Sequence, residues 1–175
     1  MNQIEATLFV KTLDSSARIF VKDDSVLMKI LGFLMFWNPA FMTGFATTVA
    51  NRVYIPRGWF GRDIRKILVH EVSGHVKQCR MCGLGLHPLV GLPLYTLLYL
   101  VLPFPIMGAY FRYRFELGAE VKAWKWMLKN GFFVDDVRKD MEYFSEKVAG
   151  SAYGFPWPKP LVLRGFRTAL EKVLA

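Results

Sequence analysis

The chain has 175 residues, of which 53% are hydrophobic, and carries a formal net charge of +9. That is enough apolar material for one core, and no linker-like stretch divides it, so a single domain over residues 1–175 is expected. Two cysteines exclude a disulfide framework. The basic balance fits an anionic partner such as a phospholipid surface or a wall polymer, but no phosphate-cradling glycine loop or nucleic-acid-binding motif accompanies it.

Met1–Leu13 places Glu5 ahead of a short apolar patch and has no basic leader. It does not read as a signal peptide, and cytoplasmic synthesis is expected. Ala17 to Lys22 alternates weakly and is rich in β-branched and aromatic residues, which predicts a strand running into a turn at Lys22-Asp23-Asp24. Ser25 then caps a helix. Its Leu27, Met28, Ile30, Leu31, Leu34 and Met35 recur at helical spacing as far as Asn38-Pro39, so this face is expected to pack against an apolar partner. Asn51 to Ile55 reads as a second strand stopped by Pro56.

From Arg62 the period is helical again, with Ile64, Ile67, Leu68, Val72, Val76 and Cys79 on one side and an end near Gly83. Met81 to Phe111 contains no Asp, Glu, Lys or Arg, a length that would span a hydrocarbon core as one helix. Pro88, Pro93, Pro103 and Pro105 interrupt it, so contact of residues 84–111 with a membrane is not the favoured expectation. Residues 112–130 predict a helix stopped by Gly131, and Asp135 and Asp136 open another that runs to about Val148. Gly154 to Pro160 reads as a proline-aromatic loop, followed by a basic amphipathic helix over Leu163 to Leu174. The sum is an α+β chain, mostly helical with a small sheet.

The run His70-Glu71-Val72-Ser73-Gly74-His75 carries the chemistry. Two imidazoles flanking a carboxylate on a helix can hold zinc and activate water. Residues five apart on an α-helix differ by about 140°, however, and do not share a face. A local π-helical bulge restores the alignment, and Gly74 lowers its steric cost. A tetrahedral catalytic zinc needs a third protein ligand and leaves its fourth position to water. Glu116, on a later helix, is the candidate for that ligand, with Glu120 one turn on to orient a ligating histidine. Glu71 is then the general base and, later, the general acid. The strand Arg52 to Ile55 is expected to line the cleft and pair with an extended peptide.

His70-Glu71-Val72-Ser73-Gly74-His75 resembles the His-Glu-x-x-Gly-His signature of the dipeptidyl peptidase III family of zinc peptidases. Phe115-Glu116-Leu117-Gly118-Ala119-Glu120 is similar to that family's second motif, with Phe115 standing in place of its first glutamate. The resemblance implies a zincin-like metallopeptidase with a two-helix Zn(2+) site. By it, His70, His75 and Glu116 ligate zinc, Glu71 is catalytic and Glu120 supports the ligands. The layout also looks like compact zincin-like domains encoded by tailed phages and related injection systems, which implies a virion protein or a cell-wall peptide as the target.

Two other readings stay open. His75, Cys79, Cys82 and His87 make a Cys2His2 set of the kind that closes around structural zinc. A basic, aromatic-rich assembly component, in a virion or at a membrane, is the non-enzymatic alternative. Trp124 and Trp126 beside Lys122, Lys125 and Lys129, and Trp157 beside Lys159, would be its amphipathic anchors.

Overall fold

The structure is a computed structural model that describes residues 1–36, 38–101, 105–150 and 158–175, with the side chains of 100–109 left aside. It divides into two compact units, Met1–Leu92 and Pro93–Ala175. The fold is α+β, mostly helical with one three-stranded sheet. Pro103 and the stretch Gly154 to Trp157, both singled out above, lie outside the described residues.

The first unit opens with a helix, α1 (Gln3–Leu13), at a place where only an apolar patch was expected. Its signal was the capping box. Asn2 Oδ1 accepts from the Glu5 amide at 2.9 Å and Glu5 Oε2 accepts from the Asn2 amide at 2.8 Å, which satisfies two of the backbone donors that every helix start leaves over. The chain continues through β1 (Arg18–Val21), a single 3₁₀ turn at Lys22–Asp24 and α2 (Val26–Leu34), whose start is capped by the Ser25 hydroxyl. A one-turn helix, α3 (Phe41–Gly44), leads into β2 (Thr47–Val49) and β3 (Arg52–Ile55).

The strand order is β1-β3-β2, with β1 parallel and β2 antiparallel to β3. This corrects the expected role of Arg52 to Ile55. As the central strand, β3 has both edges paired, so it has no ladder to offer an extended peptide. Strand β2 escaped the sequence reading because it is three residues long and its turn to β3 lacks the usual Asn-Gly or Asp-Gly pair; Ala50 takes the positive φ, 56°, instead.

Across the sheet lies a rod made of α4 (Arg65–Val69), a π-helical turn (His70–Val76) and α5 (Lys77–Cys82). Leu68, Val72 and Val76 of the rod are fully buried with Ala6 and Val10 of α1 and Val53 and Ile55 of β3. An ion pair between Arg80 and the buried Asp14, at 2.8 Å, ties the rod to the end of α1. The expected apolar packing of α2 holds for part of its face: Met28 is buried with Phe41 and Tyr54, and Leu31 and Met35 pack against them, whereas Leu27, Ile30 and Leu34 are exposed, as are Val26 and Phe33, Phe33 to 81%.

Helix α6 (Pro88–Thr96) carries the chain into the second unit, with Pro88 at its first position and Pro93 inside it. Pro88 therefore begins a helix rather than breaking one. In the second unit a π-helical turn at Leu97–Val101 precedes α7 (Pro105–Lys129), α8 (Val134–Val148) and α9 (Lys159–Leu174). Gly131 ends α7 in the left-handed conformation, as its position predicted. Helix α9 starts earlier than expected, because Pro160 sits in its first turn, where a missing N–H costs no hydrogen bond. Trp124, Val137, Val162 and Phe166 form the core of this unit, and the Trp124 indole donates to Asp140 at 3.0 Å. Among the described residues, no helix is long and apolar enough to cross a membrane.

Candidate metal centre

His70, Glu71 and His75 are buried on the rod, and the backbone between the histidines has the π-helical form that their spacing demanded. Hydrogen bonds from i to i+5 place residues five apart one above the other, so the two rings meet. Their Nε2 atoms are 3.1 Å apart, with the ring planes inclined at 75°. Gly74 has no positive φ, so the turn does not draw on a left-handed backbone there.

Gln78, one turn beyond His75, was not foreseen. Its Oε1 lies 3.0 Å from His75 Nδ1. A carbonyl oxygen can only accept, so this contact puts the proton on Nδ1 and leaves the Nε2 lone pair aimed at His70. Two facing imidazole nitrogens either share a proton or bind a cation. Two nitrogens on one tetrahedral zinc would stand roughly 3.3 Å apart, and the observed separation is close to that. The donor chemistry therefore fits a zinc-type ion.

The Glu71 carboxylate is held from the sheet side. Its Oε2 accepts from the Thr48 hydroxyl at 2.6 Å, a charge-assisted hydrogen bond made by the middle residue of β2. Nothing in the sequence marked Thr48, because the strand that carries it was itself not legible.

In the second unit, Glu116 and Glu120 lie one turn apart on α7 and are both buried. Two carboxylates side by side in a protein interior are costly unless cations or donors serve them. One donor is the Tyr99 hydroxyl, which hydrogen-bonds to Glu116 Oε1. Tyr99 is fixed in turn by Arg112, whose Nε donates to its carbonyl oxygen at 3.2 Å and whose guanidinium stands over its ring. Phe115 stacks on Tyr95 at 5.1 Å, so the residue that departs from the family motif has a packing role here.

The cysteine set behaves differently. Cys79 Sγ donates to the Pro88 carbonyl at 3.0 Å, and burial pushes its pKa up to about 11. Burial also raises Cys82, while His87 is exposed and its Nδ1 accepts from the Leu89 amide. Without a metal, burial thus favours the protonated thiols, and since the thiolate is the form that binds metal, a closed site here would have to release those protons. Among the described residues, the metal-binding groups do not include Cys79, Cys82 or His87.

No family model, no curated protein and no solved structure matches the chain. The residues supply two facing imidazole nitrogens, a carboxylate beside them that a hydroxyl orients and, in the second unit, a buried pair of carboxylates on α7.

Proposed function

We propose that the protein is a zinc-dependent metallohydrolase acting on a peptide or a related amide. His70, His75 and Glu116 are the metal ligands, Glu71 is the general base and then the general acid, and Glu120 supports a ligating histidine. The observation that carries this reading is the π-helical turn. An irregular backbone costs regular hydrogen bonding, and here it brings two buried Nε2 atoms to 3.1 Å with a carboxylate beside them. The bound ion would polarise the scissile carbonyl and make a water molecule acidic enough to attack near neutral pH. Glu71 accepts the proton of that water and delivers it to the leaving amine, while the Thr48 hydroxyl keeps Oε2 in place so that proton transfer runs through Oε1.

Metal content measured by mass spectrometry tests the ligand set. Wild type should carry one zinc per chain, Glu116→Ala should lose it, and the double variant Cys79→Ser/Cys82→Ser should keep it. Zinc lost only in the cysteine variant would make the structural-zinc reading correct. Glu71→Gln should retain zinc and lose on the order of 10²–10⁴-fold in hydrolysis of a peptide library. A second reading, an assembly component of a virion or a membrane surface, draws on the exposed apolar side chains of α2. Wild type that binds no zinc and cleaves nothing would favour it.

A further inference from the structure

Lys22, at the end of β1, is 0% exposed. Its ammonium has three protons and three acceptors: the Phe41 carbonyl at 2.5 Å, the Phe45 carbonyl at 2.9 Å and the Thr47 hydroxyl at 2.8 Å. It also stands 3.8 Å from the centre of the Phe41 ring. Burial lowers its pKa to about 8, against the pull of the Glu71 and Asp23 carboxylates. A lysine so enclosed is no nucleophile, because an attacking amine needs a free lone pair and room for a substrate. Nor is it an economical core residue, since a methionine would fill the same space without desolvating a charge.

What the three acceptors share is their place in the chain. Phe41 begins α3, Phe45 follows its end, and Thr47 opens β2. The ammonium therefore clamps the approach to β2, a three-residue strand that, among the described residues, pairs with β3 alone. Side chains alternate along a strand, so Thr47 and Thr48 point to opposite faces. Thr47 meets Lys22, and Thr48 meets Glu71 at 2.6 Å.

We infer that Lys22 is a positioning residue for hydrolysis: it pins β2 so that the Thr48 hydroxyl holds the Glu71 carboxylate in its proton-transfer orientation. This rests on the reading of Glu71 as the general base. The test uses the full zinc-loaded chain in wild type, Lys22→Met, Thr48→Val, their double variant, and Thr47→Val, which keeps the lysine but removes one anchor. In Lys22→Met, amide hydrogen exchange at Thr47–Val49 should quicken at least about tenfold while β1 and β3 stay protected. Lys22→Met and Thr48→Val should each lower kcat by about tenfold or more with KM unchanged, and the double variant should be no worse than the poorer single one. Unchanged exchange at β2, or kcat losses that multiply in the double variant, would overturn the inference. If Lys22→Met does not fold, the same exchange result in Thr47→Val decides. A wild type that hydrolyses nothing sinks the Glu71 reading instead, and the exchange measurement still judges the clamp by itself.

Discussion

Gln78 decides which nitrogen His75 presents, and it does so from one turn away with a single acceptor oxygen. Partners of this kind commonly hold 10–100-fold of metal affinity, so Gln78→Ala should weaken zinc binding by about that factor in a chelator competition, with the fold intact. Unaltered affinity would mean that the ring is oriented by packing alone. His70, Glu71 and His75 were legible because two imidazoles flanking a carboxylate form a local pattern, and their five-residue spacing calls for the π-helical turn that the structure has. Gln78 was equally visible, but a glutamine on a helix surface carries no signal until the ring it faces is known. Thr48 and Lys22 were less accessible still, since their contacts with Glu71 and with residues 41–47 depend on tertiary approach, which no local pattern encodes.

At the scale of elements, the π-helical turn is an insertion that the rest of the rod has accommodated. Deleting Ser73 would leave His-Glu-Val-Gly-His, a spacing that an ordinary α-helix aligns, and because the bulge absorbs one extra residue the part of the rod after it would keep its facing. Val76 and Cys79 would then stay on the side of the rod where they are now buried. The deletion should leave the urea-unfolding free energy unchanged or raised, since regular hydrogen bonding is restored, and a loss of more than about 2 kcal/mol would show that the bulge itself is built into the core. A second contact is tighter. A Cβ on Gly91 would stand 1.7 Å from the Cys79 carbonyl oxygen, so α6 lies on α5 only because that position is bare. Gly91→Ala should lower Tm markedly, whereas Phe33→Ser, on the exposed face of α2, should leave the unfolding free energy within about 0.5 kcal/mol. The rod and α8 were readable because period and caps agreed over many residues. Strand β2 and the start of α9 were not, since a three-residue strand has too little pattern and a proline marks helix starts as readily as loops.

For the molecule as a whole, pH acts on stability through Lys22. Its folded pKa of about 8 lies below the ordinary 10.5 because burial disfavours the charged form. Between those values the unfolded chain binds a proton at Lys22 that the folded chain has released, so the contribution of Lys22 to stability rises with pH across that window; the buried Cys79 thiol, raised to about 11, acts the other way above pH 9 and cancels in a comparison with Lys22→Met. The gap is equivalent to about 3 kcal/mol, a penalty fully present below pH 8 and relieved above pH 10.5. Urea midpoints of wild type and Lys22→Met at pH 7.5 and pH 10 check this. Wild type should gain on the variant as pH rises, and parallel curves would show that the ammonium is not desolvated. The fold class was open to sequence reasoning because periodicity reports it directly. The pairing order of the strands was not, because β1 and β3 are joined in parallel across intervening elements whose contacts are non-local.

The sheet order has one more consequence. Its outer strands are three and four residues long, shorter than the six or seven residues that stack into fibrils, whereas helix α2 exposes Val26, Leu27, Ile30, Phe33 and Leu34. Self-association of this protein at high concentration should therefore begin at α2 and stay amorphous, with no ordered cross-β growth from the sheet.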